Sequence, residues 1–306
     1  MNAELLIVGT GALATLFAAR LSGAGHRVTM LGKWPAGLEA LRARGAHLLE
    51  ADGSERAFPV RVAADARECR GAQHALVLVK AWQTPRAARQ LADCLAPDGL
   101  AITLQNGLGN REALARDLGP GRVALGVTTA GATLVEPGLA RAGGAGLTSI
   151  ERNPALGPVP EALRSADFKL ELVDDAQSLV WGKLIVNAAI NPLTALLRVP
   201  NGVLLERPAA RALMAALATE AAQVAAAEKV HLPFSDPVAA AEEVARLTAA
   251  NHSSMLQDVQ RGAQTEIDAI CGAIVERGEL HGISTPVNRV CRDLVRAVRE
   301  NPPQSH

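Results

Sequence analysis

The sequence contains no tyrosine, and aromatic residues make up only 2% of its 306 positions. A tyrosine therefore cannot act as general acid or base in any chemistry that the chain performs. Hydrophobic residues still account for 49% of the chain and charged residues for 20%, a balance typical of globular proteins. The core must be built mainly from alanine, leucine and valine, and the length suits two domains of about 150 residues each.

Cysteine is also scarce, and its four positions form no CxxC or Cys/His pattern. They are Cys69, Cys94, Cys271 and Cys291. Such spacing gives no basis for a disulfide framework or a structural zinc site, so we expect no metal and a reducing compartment.

Neither sign of charge is in excess, because 31 Lys and Arg residues balance 31 Asp and Glu residues. Nucleic acid and anionic membranes are therefore not expected as partners. The opening MNAELLIVG lacks the basic segment and long apolar stretch of a signal peptide, and no apolar run reaches the ~18 residues that a membrane span needs. We expect a cytoplasmic protein.

Residues 1–174 are predicted to form an α/β Rossmann-type dinucleotide-binding domain. Short β-rich runs alternate there with helical stretches, which is typical of a parallel sheet wound with helices. The predicted strands are ELLIVGT, HRVTML, HALVLVK, LAITLQN and RVALGVTTAG.

Residues 175–306 are predicted to form an all-α domain that carries the substrate and catalytic residues. The long stretches RALMAALATEAAQVAAAEKV and SSMLQDVQRGAQTEIDAICGAIVERGELHG place apolar residues at three- and four-residue intervals, as helices do. The final NPPQSH is expected to be disordered.

A glycine-rich turn follows the first predicted strand and opens an alanine-rich helix, as in the GxGxxA dinucleotide fingerprint. Its residues are Gly9, Thr10, Gly11, Ala12, Leu13 and Ala14. The first glycine permits the tight turn, the second lets backbone approach a pyrophosphate, and Ala14 allows close packing of helix on strand.

Residues at later strand ends indicate which dinucleotide is bound. An NAD enzyme usually places an acid at the end of the second strand, but Lys33 stands there and can pair with a 2′-phosphate, which favours NADP. Lys80 and Asn106 follow two further strands, at the edge of the sheet where such folds bind the cofactor.

The segment from Trp181 to Gly202 carries the candidate catalytic residues. Lys183, Asn187 and Asn191 are spaced i, i+4 and i+8, so they form one polar stripe on an otherwise apolar helix. A buried stripe of one ammonium and two amides is costly unless a ligand supplies acceptors. Pro192 is expected to break or kink the helix and expose Asn191, and a turn at Asn201 is expected to close the pocket.

Several blocks resemble the signature segments of the ketopantoate reductase family. They are KAWQT at 80–84, QNG at 105–107, the WxKLxxNxxINPLTAL run with its later PNG, SSMLQDVxRGxxTEIDxIxG from Ser253, and HGISTP near residue 286. The resemblance extends over nearly the whole chain. It implies an NADPH-dependent oxidoreductase that reduces 2-dehydropantoate to pantoate, a step of pantothenate and coenzyme A biosynthesis.

The resemblance also implies roles for individual residues. NADP contacts are implied for Gly9 to Ala14, Lys33, Asn106 and Ala132. The implied catalytic residues are Lys183, which is the acid, and Glu266, which lies at the cofactor ribose close to that lysine. The implied substrate contacts are Asn187, Asn191, Asn201 and Ser254. Pattern alone would make Glu266 a solvent-facing residue inside a helix and Ser254 an N-cap or surface serine.

Two departures and two alternatives accompany the resemblance. Ala14 stands where many members have Gly, and Lys33 stands where Arg is frequent, which keeps the charge but loses the planar fork.

The alternatives are a paralogous NADPH-dependent reductase of another branched 2-oxo acid and a non-catalytic NADP-binding regulatory protein. A homodimer is compatible with the sequence.

Overall fold

The computed structural model describes residues 2–50, 52–144 and 146–300. The chain divides into two units, one comprising Met1–Gln105 and Asn110–Ala176 and the other Asn106–Gly109 and Gln177–His306. The expectation for NPPQSH concerns residues outside the described ranges.

The first unit contains all the strands of the described chain. They are β1 (Glu4–Val8), β2 (Arg27–Leu31), β3 (Ala46–Leu49), β4 (Glu55–Phe58), β5 (Arg61–Ala63), β6 (Ala72–Val77), β7 (Leu95–Thr103), β8 (Val123–Thr128), β9 (Ala132–Glu136), β10 (Leu139–Ala142), β11 (Leu147–Glu151) and β12 (Lys169–Val173). The helices of this unit are α1 (Ala12–Gly23), α2 (Pro35–Arg44), α3 (Thr84–Cys94), α4 (Asn110–Leu118) and α5 (Val159–Ser165).

Eight strands form one sheet in the order β12-β11-β8-β7-β6-β1-β2-β5. All neighbours are parallel except β8 and β11. Leu5 and Ile7 of β1 enter the core that contains α1, whereas Leu6 and Val8 enter the core that contains α3. Because successive side chains of a strand point to opposite faces, the sheet is buried on both sides. The predicted α/β Rossmann-type class is confirmed.

A second sheet, in the order β4-β3-β10-β9, was not predicted from the sequence. It packs against α1, and Ala46, Leu48 and Ala140 join the core on that side. Its strands are only four or five residues long, and only β3 and β10 contain buried positions, so their apolar pattern is weak in the sequence.

The second unit is helical, as predicted. Its helices are α6 (Ala176–Leu197), α7 (Val203–Glu206), α8 (Pro208–Ala227), α9 (Pro237–Leu247), α10 (Ser254–Gln260), α11 (Ala273–His281) and α12 (Pro286–Glu300). Buried side chains of α6, α8 and α12 build its core around Trp181, which is 1% exposed.

The predicted helical stretch from Ser253 to Gly282 is interrupted. Gly262 has a φ of +64°, its N–H donates to the carbonyl of Val259, and the N–H of Ala263 donates to the carbonyl of Asp258. This pair of bonds is a Schellman motif, which ends α10. A π-helical turn at Asp268–Gly272 then leads into α11.

Within the described residues, α6 is the one helix with the length and overall composition of a membrane span, although Lys183, Asn187 and Asn191 interrupt its apolar run. Its most apolar segment is 72% buried inside the protein. It is the core helix of the second unit, and its burial explains its apolar composition.

Candidate active site

The glycine-rich turn lies between β1 and α1, as the fingerprint requires. Gly9 has a φ of +137°, and a Cβ there would lie 3.1 Å from the carbonyl oxygen of Leu78. Ala14 is fully buried against the sheet. A Cβ on Gly11 would meet no described atom within 4 Å, and no described side chain caps α1. The helix N-terminus therefore faces open space, which fits a phosphate group.

Lys33 follows β2 and has an exposed side chain. It lines a cavity of about 670 Å³ together with Pro35, Leu38, Glu39, Arg42, Ala43 and Ala64. A hydrogen bond from Arg67 is the main cause of the lowered pKa of Asp65, and the charge of Lys33 lowers it further. Lys33 thus presents a cation at the end of the second strand, as expected.

Lys80 and Gln105 lie just beyond β6 and β7. The Lys80 N–H donates to Gln83 Oε1 at 3.3 Å. Gln105 Nε2 donates to the carbonyl of Val79 and to Thr84 Oγ1, both at 2.8 Å. The Gln105 amide therefore ties two neighbouring strand ends together. Sequence reasoning named QNG as a motif but missed this role, because a side-chain bond across strands has no local signal.

Ala132 is the first residue of β9, in the small sheet, and pairs with Ala142 of β10. It packs against the core that also contains α1. The described contacts place it in the same unit as Gly9 to Ala14 and Lys33.

The polar stripe of α6 is where the spacing predicts it. Lys183 and Asn187 are partly buried, and Asn191 is buried at 7% exposure. The predicted break at Pro192 is wrong, since α6 continues to Leu197 and Asn191 is not exposed. Thr194 Oγ1 lies 3.0 Å from the Ile190 carbonyl oxygen and 2.9 Å from that of Asn191. The side chains that flank Pro192, Ile190 and Leu193 among them, are buried in the core of the second unit, and this packing keeps the segment helical through the proline.

Glu266 is buried at 6% exposure and does not lie inside a helix, which corrects the expectation from the pattern. It precedes the π turn, and its carbonyl accepts from the N–H of Ile270. The Schellman motif at Gly262 is what separates it from α10. The RG pair at 261–262 was the available signal for this break.

Asn106 meets Glu266 within the second unit. Its Nδ2 donates to Glu266 Oε2 at 3.1 Å. The next residue, Gly107, has a φ of +83°, and the N–H of Leu108 donates to the carbonyl of Ala269 at 3.1 Å. The turn after β7 therefore holds an amide against the buried carboxylate.

Electrostatics single out Lys183 in this group. Burial lowers the pKa of its ammonium to about 8, and the nearby Glu266 carboxylate opposes that shift. A lysine with such a pKa can give up a proton near neutral pH, whereas an exposed lysine at its ordinary value cannot do so readily.

Asn201 and Ser254 occupy different environments. Asn201 is buried at 7% exposure, and its Nδ2 donates to Thr248 Oγ1 at 2.9 Å. Ser254 is exposed in the first turn of α10. The N-cap of that helix is Ser253, whose hydroxyl accepts from the N–H of Leu256, so Ser254 is not the cap.

Family models match most of the chain. The model described as "Ketopantoate reductase PanE/ApbA" matches residues 5–155, and its C-terminal counterpart matches residues 175–299. The chain belongs to the ketopantoate reductase family. The resemblance predicted from the sequence is therefore confirmed, and the family is one of dinucleotide-dependent oxidoreductases.

Curated members of the family are similar over nearly their full length. The 2-dehydropantoate 2-reductase of Halobacterium salinarum is 37% identical over 97% of this chain and 99% of the relative. That of Archaeoglobus fulgidus is 38% identical over 95% of this chain and 96% of the relative.

Solved structures share the fold. The ketopantoate reductase of Ralstonia eutropha JMP134 has a TM-score of 0.91 and 32% identity, covering 98% of this chain and 100% of that one. D-mandelate dehydrogenase with NADH and anilino(oxo)acetate has a TM-score of 0.90 at 23% identity, covering 97% of this chain and 98% of that one. The second likeness extends to the fold alone.

Proposed function

We propose that the chain reduces 2-dehydropantoate to pantoate with NADPH, a step of pantothenate and coenzyme A biosynthesis in the cytoplasm. The observation that carries the proposal is Lys183, whose pKa is lowered to about 8 by burial while the buried Glu266 opposes the shift. A regulatory protein that only binds a dinucleotide has no need of a proton donor tuned to neutral pH.

Most cofactor contacts are assigned to residues 1–174, the proposed dinucleotide-binding domain, and residues 175–306 are proposed to form the helical substrate and catalytic domain. The open space before Gly11 fits the pyrophosphate, and Lys33 fits a 2′-phosphate. Lys80, Asn106 and Ala132 are further proposed contacts, and Glu266 is assigned to the ribose. NADP is preferred over NAD in this proposal because Lys33 stands where an acid would serve NAD.

When bound, NADPH would supply the hydride that reduces the ketone carbon. The Lys183 ammonium stabilises the negative charge that develops on the ketone oxygen and then donates a proton to it. Glu266 favours the charged form of Lys183, so the acid is loaded with its proton at neutral pH. Asn106 holds the Glu266 carboxylate in place through its amide.

The remaining polar residues orient the substrate. Asn187 and Asn191 lie one and two turns beyond Lys183 on the same face of α6 and hold the substrate oxygens. Asn201 and Ser254 bind its far hydroxyl or carboxylate. Orientation of this kind accelerates the reaction by fixing the ketone beside the acid.

The test is a steady-state assay of the purified protein with NADPH or NADH against a panel of branched 2-oxo acids. The proposal expects the highest kcat/KM with NADPH and 2-dehydropantoate, and pantoate as product. A higher kcat/KM on another branched 2-oxo acid would reassign the substrate. Cofactor binding without turnover on any member of the panel would reassign the protein as a regulator.

A further inference from the structure

The side chain of Asn201 has one satisfied end and one unsatisfied end. Its Nδ2 donates to Thr248 Oγ1 at 2.9 Å. Its Oδ1 is buried, and no partner for it exists within the described part of the chain. A buried acceptor without a donor is costly, because the water it loses on folding is not replaced.

The orientation of this amide is set by Thr248. The Thr248 hydroxyl lies 2.6 Å from the carbonyl oxygen of Val244, to which it donates its single hydrogen. Toward Asn201 the same oxygen can only accept. The amide nitrogen must therefore face Thr248, which turns the amide oxygen the other way.

The backbone around Asn201 is held in place by the segment that follows α9. The Asn201 N–H donates to the carbonyl of Asn251, and the Gly202 N–H donates to that of Ala249, each at 3.0 Å. A Cβ on Gly202 would lie 2.6 Å from the Ala249 Cβ. With its backbone held, the side-chain amide of Asn201 has little freedom to move as a whole. Thr248 therefore controls how that amide is rotated, and so which of its two ends faces Thr248.

We propose that Thr248 is a positioning residue that presents the carbonyl oxygen of Asn201, rather than its amide nitrogen, to a hydroxyl group of the substrate. This inference rests on the proposed function, because 2-dehydropantoate carries a hydroxyl at C4 that can donate a hydrogen bond to Asn201 Oδ1. A site built in this way discriminates against analogues that lack the hydroxyl, since the buried oxygen then stays unpaired.

The experiment compares two substrates that differ only in that hydroxyl, 2-dehydropantoate and 3,3-dimethyl-2-oxobutanoate. Thr248→Val removes the acceptor and keeps the shape of the side chain. We expect kcat/KM on 2-dehydropantoate to fall ~10-fold, mainly through KM, and kcat/KM on the deoxy substrate to change by less than ~3-fold.

Two further variants make the result specific. Thr248→Ser keeps the hydroxyl and is expected to retain the wild-type preference for 2-dehydropantoate. In Asn201→Ala, adding Thr248→Val is expected to cause no further loss of that preference, because the amide that Thr248 orients is gone.

Several outcomes would overturn the inference alone while leaving the proposed function intact. They are an equal loss of kcat/KM on both substrates in Thr248→Val, no loss on either, and failure of Thr248→Ser to retain the preference. If the wild-type protein reduced neither substrate, the proposed function would fail, and the inference would fail with it.

Discussion

Lys183 shows how a single residue can acquire a function from its surroundings. An exposed lysine stays protonated far above neutral pH, but burial brings the pKa of Lys183 down to about 8, with Glu266 limiting the shift. In the proposed reduction the protonated form is the active one. The rate should therefore be level below this pKa and fall as the pH rises through it.

Glu266→Gln tests the electrostatic part of this account. The carboxylate raises the pKa of Lys183, so its removal should move the falling limb of the kcat/KM profile to lower pH. Asp268→Asn is the matched control, because Asp268 is exposed and paired with Arg296. A limb that stays in place in Glu266→Gln, or that moves as far in Asp268→Asn, would argue against the role of Glu266.

Lys33→Asp tests the choice of cofactor. Replacing the cation by an anion should weaken binding of NADPH and erase or reverse its preference over NADH, because a 2′-phosphate would then be repelled. Lys169→Asp, an exposed change on β12, controls for the altered net charge. Equal affinity of the wild-type protein for NADPH and NADH, measured by fluorescence titration, would contradict the assignment.

Among the elements, the turn Asn106–Gly109 has a constrained backbone and lies beside Glu266. Gly107 and Gly109 both have positive φ angles, +83° and +85°. Of these two glycines, Gly107 alone has no room for a side chain, since a Cβ there would lie 2.5 Å from the carbonyl oxygen of Ala269. The close approach keeps Asn106 beside Glu266.

Gly107→Ala should therefore displace this turn. We expect the free energy of unfolding to fall by about 1–3 kcal/mol and kcat on 2-dehydropantoate to fall as well, because the contact between Asn106 and Glu266 is disturbed. Gly109→Ala carries a similar φ strain, but a Cβ there meets no described atom within 4 Å. If the two variants lost stability and kcat equally, the close approach at Gly107 would have no special importance.

The elements also show which parts of the structure could be predicted from the sequence. The turn from Gly9 to Ala14 and the stripe on α6 were predictable, because each is a local pattern with a fixed period. The continuation of α6 through Pro192 was not, since it depends on the packing of the flanking side chains in the core of the second unit. The contact between Asn106 and Glu266 joins residues 160 positions apart and has no local signal.

At the scale of the whole molecule, the proposed tasks divide between different parts of the chain. Gly9 to Ala14 and Lys33 belong to the first unit, whereas Lys183 and the substrate residues belong to the second. Loss of the acid should therefore be separable from loss of the cofactor. In a reductase, a variant can lose kcat while it keeps its affinity for the cofactor. A dinucleotide-binding protein without turnover has no kcat to lose.

The most direct test of the central claim is to measure kcat on 2-dehydropantoate and the Kd for NADPH in Lys183→Ala. We expect kcat to fall by ~10²-fold or more, the usual effect of removing a positioned acid, while the Kd stays within ~2-fold of the wild-type value. Turnover at the wild-type rate would show that Lys183 is a structural residue and would contradict the account.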